Sequence, residues 1–234
     1  MRGFALRAGE AGQKRFLRPE LAAGLRLMKM TKTHRAALTD ILTWRRDVRH
    51  FRPDPVPEAV MAEVMASVDL APSVGNSRPW RFVRVRSAAA RDAVIASFER
   101  CNAAASEGYG GAEQARYRAL KLAGLREAPE HLAVFTDPDP AEGRGLGRQT
   151  MPETLDYSTV MAIHTLWLTG RARGLGVGWV SILDPGVVRA ALEVPAAWRL
   201  TGYLCLGYPE AESTVPELEE QGWQARAPSV WLER

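Results

Sequence analysis

The sequence predicts an α+β fold in which a central, mainly antiparallel sheet is flanked by helices. The chain has 234 residues, of which 46% are apolar, and this is enough to bury a sizeable core. Segments with helical apolar spacing outnumber the short apolar runs that are typical of strands. The two kinds of segment do not alternate regularly, which favours packed helices and a sheet over a doubly wound parallel sheet.

Helices dominate the first half of the chain. Leu38, Ile41 and Leu42 follow the i, i+3, i+4 spacing of an amphipathic helix. Pro57 suits the first position of a second helix, which Pro72 ends. In chain order the first half predicts helices at 35–44 and from 57, a strand at 80–86, helices at about 88–106 and 112–126, and a strand at 131–136.

The second half of the chain predicts its longest helix. Residues 137–150 lack a core pattern and predict a loop, of a length that often serves as a lid or binding segment. The helix that Pro152 opens is apolar nearly all round, so we expect it to be central and buried. Gly174 follows its end. The remaining predicted elements are a strand at 176–182, a short helix beginning with Pro185 and a strand at 201–206.

Basic residues are concentrated near the N-terminus. The chain has a net charge of +4, but residues 1–32 alone hold eight basic and two acidic residues. The slightly acidic remainder gives no reason to expect nucleic-acid binding. We interpret residues 1–33 as an extension outside a core domain at 34–234, with Met28 or Met30 as the preferred start and an Arg-rich transit peptide as the alternative.

Apolar runs and cysteines exclude several classes of protein. No apolar run approaches the ~20 residues that a membrane span needs, so we expect no membrane partner. Cys101 and Cys205 lack His or Cys partners at metal-ligand spacing, so neither a zinc site nor a disulfide framework is expected. Reduced thiols favour a cytoplasmic location.

Two glycine-rich segments superficially match nucleotide-binding motifs. Gly174, Gly176 and Gly178 follow a helix and open a strand, whereas a dinucleotide fingerprint follows a strand and opens a helix. These glycines instead cap the helix and let a backbone or a flat ligand approach the strand. The glycines at 143–147 are not followed by Lys-Ser/Thr, so they do not form a P-loop.

Three arginines surround an aspartate in the segment RRDVR. Arg45, Arg46 and Arg49 either form a basic helix end that faces water or clamp a phosphate with their guanidinium forks. Asp47 is correspondingly an ion-pair partner or a placed acid or base. Residue types alone leave both interpretations open.

Polar residues elsewhere are also open to two interpretations. Residues 71–82 (APSVGNSRPWRF) form a plain turn or a polar loop that hydrogen-bonds a ligand edge through Ser73, Asn76 and Arg78. His164 lies among apolar neighbours and is interpreted as a core histidine. Ser181 lacks a Gly-x-Ser-x-Gly context, so a hydrolase triad is unsupported.

Three motifs in order resemble the flavin-dependent nitroreductase superfamily across roughly residues 40–234. They are RRDVRHF (45–51), APSVGNSRPWRF (71–82) and GLGVGWVSILDP (174–185). Within the superfamily the BluB-type branch, the 5,6-dimethylbenzimidazole synthases, is most similar. Asp47 stands where ordinary nitroreductases usually have Ser, and the segment GLGRQTMPETLDYS (145–158) also points to this branch.

The resemblance implies a nitroreductase-like sandwich that forms an intertwined homodimer with FMN at the subunit interface. In this branch reduced FMN is the substrate, and O2 is the co-substrate. The products are 5,6-dimethylbenzimidazole, the lower ligand of cobalamin, and erythrose 4-phosphate. Asp47 and Ser181 match the critical residues of the branch. The electron donor stays open, with indirect reduction by NAD(P)H through a separate flavin reductase as the candidate.

Motif matching also implies the positions that contact FMN. The arginines of RRDVR would hold the phosphate and ribityl chain, Ser73 and Asn76 would border the flavin from the partner subunit, and residues 178–181 would pass beside the isoalloxazine. Arg78 replaces the usual Gln, which puts one flavin-edge hydrogen bond in question. The full predicted set is Arg45, Arg46, Asp47, Val48, Arg49, Ser73, Asn76, Arg78, Gly178, Trp179, Val180 and Ser181.

Two other functions are compatible with the same residues. One is an NAD(P)H-dependent FMN nitroreductase or flavin reductase, in which the flavin cycles and survives. The other is a flavin or corrinoid carrier without chemistry.

Overall fold

The computed structural model describes residues 28–234 of the chain. Most of the predicted extension at 1–33 therefore lies outside the described residues. Residues 38–234 form one compact unit. Within the described part of the chain, no helix is long and apolar enough to cross a membrane.

Helices and strands form an antiparallel sheet flanked by helices, which confirms the predicted α+β class. The four strands lie in the order β1-β2-β4-β3, and each neighbouring pair is antiparallel. The strands are β1 (Trp80–Arg84), β2 (Glu130–Thr136), β3 (Gly176–Val180) and β4 (Arg199–Gly207). The helices are α1 (Lys32–Trp44), α2 (Glu58–Ala66), α3 (Ala88–Glu107), α4 (Gly111–Ala119), α5 (Thr154–Ala172), α6 (Pro185–Ala191) and α7 (Glu217–Glu220).

Local signals place several of these element boundaries. Pro185 opens α6, and the Asp184 side chain accepts hydrogen bonds from the next free backbone N–H groups. Gly174 adopts a positive φ just after α5, as the predicted end of that helix requires. Ser87 caps the start of α3 by accepting from the Ala90 N–H.

The sheet separates two hydrophobic cores. Successive side chains of a strand point to opposite faces, so Leu132 and Val134 of β2 join one core, and Ala133 and Phe135 join the other. The first core includes residues of α2 and α5, and the second includes residues of α3 and α6. The chain is therefore a sandwich of helices on both faces of one sheet.

In a single chain, α5 is buried on one face only. Ile163 and Leu166 are fully buried, but Tyr157, Val160 and Met161 are 55%, 39% and 43% exposed. The prediction of burial nearly all round is therefore wrong for the isolated chain. His164 on the same helix is half-buried and does not lie in the core, so that interpretation is also wrong.

The helix predicted at 112–126 ends earlier, at Ala119. Leu120 is extended, and the chain then runs irregularly to β2. Gly124 lies so close to the Phe51 ring that a Cβ there would be 2.5 Å from Cε2. Continuing the helix would remove this fit, because residues 120–128 must cover Phe51 and bury Leu125. Tertiary packing therefore overrides the local helical pattern.

Candidate functional site

A cleft of about 630 Å³ lies between residues 44–50 and the segment at 209–221. Its volume is within the range of small-molecule sites, roughly 300–1,000 Å³. The residues that matter to its chemistry are Arg46, Asp47, Val48, His50, Arg171 and Glu217.

The 45–51 segment is held in the cleft wall by β3. Helix α1 ends at Trp44, and the Arg45 N–H still donates to the Ile41 carbonyl (2.9 Å), so Arg45 lies at the helix end, as one of the two interpretations expected, while Arg46 and Arg49 lie in the segment beyond it. The Val48 N–H donates to the Val177 carbonyl (3.1 Å). Gly178 permits this pairing, because any Cβ there would collide with the Val48 carbonyl oxygen. The sequence predicted that a backbone or a flat ligand approaches the strand closely at these glycines, and at Gly178 it is the backbone of Val48 that does so.

Asp47 is fixed at both of its carboxylate oxygens. Oδ1 accepts the backbone N–H of Trp179 (2.9 Å), and Oδ2 accepts Nε of Arg49 (2.9 Å). Burial raises the pKa of Asp47 above its ordinary value, while the Trp179 N–H and Arg49 act in the opposite direction. A carboxylate on a cleft wall with a raised pKa is suited to accept a proton.

The three arginines of the motif lie in three different environments. Arg45 stacks over the Trp167 ring, with 5.0 Å between the guanidinium carbon and the ring centroid. Arg46 lines the cleft and donates twice to the Thr214 carbonyl (3.0 and 2.6 Å). Arg49 is 10% exposed and is turned toward Asp47.

Positive charge accumulates around Arg46. Burial lowers its pKa, and the like charges of Arg45 and Arg226 lower it further, with Glu219 acting in the opposite direction. Arginine remains charged at neutral pH, so an anion placed among these side chains would relieve their mutual repulsion.

Sequence reasoning did not single out Arg171, which lines the cleft, or Arg226, whose charge lowers the pKa of Arg46. Arg171 lines the cleft from the last turn of α5 and is paired with Glu212. Arg226 follows α7 and is paired with Glu219 (2.6 Å). Both are far from the arginine motif in sequence, and no spacing signal connects them to it.

The predicted loop residues Ser73, Asn76 and Arg78 lie apart from this cleft. Ser73 Oγ accepts the Arg78 N–H (3.1 Å) across a short 3-10 turn, Val74–Asn76. The same turn is tied to α5, because the Val74 N–H donates to Ser158 Oγ (3.0 Å). Within the described residues, these three side chains do not line the cleft of their own chain.

Residues 178–181 form the end of β3 and the position after it, and within the described part of the chain none of them lines the cleft. The Trp179 amide holds Asp47, and Val180 is buried in the second core. Ser181 lies just beyond the strand and is exposed. The structure therefore brings Asp47, Val48 and the backbone of β3 together, and Ser181 directly follows that strand.

A second hollow, of about 730 Å³, lies beside the start of α3. Arg84 and Arg86, which line it, are both paired with Glu58, and much of the remaining lining is alanine. None of the twelve residues predicted to bind FMN lines this hollow within the described part of the chain.

The nitroreductase family model matches residues 42–208, which contain the arginine motif, the 71–82 loop and β3. The chain belongs to the nitroreductase family. Its relatives include proteins named 5,6-dimethylbenzimidazole synthase. The relative from Rhodospirillum rubrum is 59% identical, covering 86% of this chain and 95% of that protein. The relative from Rhodobacter capsulatus is 53% identical, covering 88% and 100%.

Solved structures show the same fold. Oxidised iodotyrosine deiodinase bound to FMN and 3-iodo-L-tyrosine matches with a TM-score of 0.67 at 22% identity. The match covers 84% of this chain and 98% of the deiodinase. The predicted nitroreductase-like architecture is confirmed.

Proposed function

We propose that the protein makes 5,6-dimethylbenzimidazole from reduced FMN and O2, with erythrose 4-phosphate as the second product. Synthases 49–59% identical to this chain match it over nearly their whole length, and this similarity carries the proposal. The cleft beside Asp47 supplies the chemistry that the reaction requires, a carboxylate placed to accept a proton.

FMN fits the donor set and size of this cleft. About 630 Å³ is available, and Arg46, which lines the cleft, lies close enough to Arg45 and Arg226 for their charges to lower its pKa. These arginines would hold the phosphate, because guanidinium groups match phosphate oxygens bidentately. Asp47 and the end of β3 would then lie toward the ring.

Asp47 and Ser181 have distinct proposed roles. Reduced FMN supplies the electrons that O2 accepts. Asp47 accepts a proton at its carboxylate, whose direction is fixed at both oxygens. The hydroxyl of Ser181 donates a hydrogen bond that orients the reacting group, since the side chain is exposed at the end of β3.

A homodimer completes the proposed site. Tyr157, Val160 and Met161 leave an apolar face of α5 exposed, and a second copy would cover it. Ser73 and Asn76 do not line their own cleft, as expected of residues that border the partner's flavin. Size-exclusion chromatography with light scattering should show a dimer at micromolar concentration, and a folded, FMN-binding monomer would contradict it.

We also propose a cytoplasmic location and a separate NAD(P)H-dependent flavin reductase as the source of reduced FMN. The location follows from the cysteine usage of the sequence, and the reductase follows from the resemblance to the synthases. Adding a purified flavin reductase and NADH should replace chemical reduction of FMN, which can be checked by measuring product with and without the reductase.

Product analysis after a single exposure to O2 tests the proposed reaction. FMN is reduced anaerobically in the presence of the protein, O2 is admitted, and the products are read by mass spectrometry. We expect 5,6-dimethylbenzimidazole in a protein-dependent amount. Quantitative return of oxidised FMN would instead indicate a flavin reductase or nitroreductase, and no protein-dependent change would indicate a carrier.

A further inference from the structure

We propose that Arg49 is a positioning residue that fixes the carboxylate of Asp47, and that it is not a ligand of the FMN phosphate. The inference rests on the proposed function for its catalytic consequence only. Its structural part concerns an ion pair that the protein forms on its own.

Arg49 is recessed beside the cleft wall and does not form part of the lining in the described residues. The neighbouring residues Arg46, Asp47, Val48 and His50 line the cleft, and Arg49 does not within the described residues. Its side chain is 10% exposed. A phosphate in the cleft would therefore meet Arg46 first.

Two protein acceptors hold the Arg49 guanidinium. Nε donates to Asp47 Oδ2 (2.9 Å), and Nη1 donates to the Lys121 carbonyl (3.0 Å). Lys121 belongs to the irregular segment that covers Phe51, so this anchor is part of the packed fold. To bind a phosphate through Nε, Arg49 would have to release the Asp47 carboxylate. Arg46 also donates to protein acceptors, but these are the neutral carbonyls of Thr214 and Arg45, which a phosphate can replace with a gain of charge pairing.

Arg49 fixes the direction of the Asp47 carboxylate, and its positive charge opposes the effect of burial on the pKa of Asp47. The Trp179 N–H occupies Oδ1, so the carboxylate loses its second restraint if Arg49 is removed. Among residues 28–234, the other titratable groups whose charge acts on Asp47 or responds to it are Glu217 of α7 and the buried thiol of Cys205 on β4. Burial and Glu217 raise the pKa of Asp47, and Arg49 lowers it. Arg49 thus keeps a recessed carboxylate available as a base.

Two readouts on the apoprotein and its flavin complexes test this role. The first is the titration midpoint of the Asp47 carboxyl, followed by ¹³C NMR and assigned by loss of the signal in Asp47→Asn. The second is the ratio of riboflavin to FMN dissociation constants, which reports phosphate recognition. Arg49→Met is compared with Arg46→Met, a matched loss of a guanidinium that lines the cleft.

Arg49→Met should move the Asp47 midpoint to higher pH and leave the riboflavin-to-FMN ratio within about twofold of the wild type. Arg46→Met should lower that ratio by about tenfold or more, because it removes a charge-assisted contact. Arg49→Lys keeps the charge but loses the planar fork, so the Asp47 midpoint should move less in this variant than in Arg49→Met. If Arg49→Met fails to fold, the lysine variant decides between the two roles on the same readouts.

Product formation gives the catalytic consequence. Per bound flavin at neutral pH, Arg49→Met should lose product about a hundredfold, with partial recovery in Arg49→Lys. A selective loss of FMN affinity in the Arg49 variants with an unmoved Asp47 midpoint would overturn the proposal. A wild-type protein that makes no product would contradict the proposed function, while the titration and affinity readouts would still decide the role of Arg49.

Discussion

Asp47 and His131 are both partly or fully buried ionisable groups. Their surroundings differ in the ways that distinguish a candidate functional site from a hydrophobic core. Asp47 lies on the wall of a cleft, and its side chain is 35% exposed. His131 is 1% exposed and lies inside the sheet, opposite Cys205. Burial shifts the pKa of both groups, up for the carboxyl and down to about 4 for the imidazole.

Hydrogen bonding distinguishes the two groups further. Asp47 has a partner at each oxygen, including a charged one. His131 shares one hydrogen bond with the Tyr203 hydroxyl (3.0 Å), and its Nε2 has no partner among residues 28–234. A shifted pKa is therefore an indicator of function only where a substrate can reach the group and a counter-charge controls it. The following predictions test that distinction.

The largest expected effect is the loss of product in Asp47→Asn. The amide is nearly isosteric but is a poor base, so product per bound flavin should fall by about 10²–10⁴-fold. FMN should still bind and be reoxidised by air. Product is measured by mass spectrometry and normalised to bound flavin. If FMN affinity changes while product per bound flavin does not, Asp47 only neutralises the arginines.

Arg46→Ala should weaken FMN binding by about 1.5–3 kcal/mol, the range for a hydrogen bond to a charged group. Riboflavin lacks the phosphate, so its affinity should change much less. Isothermal titration with both ligands measures the difference. Equal weakening of the two would indicate a general defect of the cleft.

His131 should make stability, and not catalysis, depend on pH. The unfolded chain protonates this histidine near pH 6.5, whereas the folded chain keeps it neutral down to about pH 4. The free energy of unfolding should therefore fall as the pH is lowered from 6.5 toward 4. Urea unfolding across this range should show a smaller fall in His131→Gln, which retains a hydrogen-bonding group for Tyr203.

Product per bound flavin at pH 8 provides the control for His131→Gln and should match the wild type. A pH slope as steep as that of the wild type would show that other groups dominate acid unfolding. If the folded, flavin-bound His131→Gln variant loses product, His131 takes part in the reaction as Asp47 does, and the distinction between the two regions fails.

The smallest expected effect is that of removing residues 1–29, which we predict to lie outside the core domain. Residues before Met30 lie outside the motif-bearing region and have no sustained apolar periodicity. A chain beginning at Met30 should fold, bind FMN and form product as the full chain does. Circular dichroism and flavin titration check this, and weaker FMN binding would assign the extension a role in the site.

Local patterns in the sequence predicted most of the fold. The strand predicted at 131–136 is Glu130–Thr136, and Pro185 and Gly174 mark helix boundaries as expected. These features depend on side-chain alternation and backbone restriction, which neighbouring residues determine. The prediction that the helix continues through 120–126 was wrong, because its end is determined by packing against Phe51. Phe51 is distant in sequence, so no local pattern includes it.

The site was predictable in its parts but not in its arrangement. The arginine motif identified Asp47, yet adjacent arginines in an extended segment reach different neighbours: Trp167 for Arg45, Thr214 for Arg46 and Lys121 for Arg49. These partners come from α5 and two later segments, so their positions depend on the tertiary fold. Arg226 could not be predicted from the sequence for the same reason, because only the tertiary fold brings it near Arg46.

The most direct test of the site is a crystal structure of the protein with oxidised FMN, which the reaction does not consume. The phosphate should lie within hydrogen-bond distance of Arg46, and the ring should contact the end of β3 beside Asp47, with Arg49 still paired to that carboxylate. FMN bound in the hollow beside α3, or with its phosphate on Arg49 and Asp47 out of reach of the ring, would contradict the account.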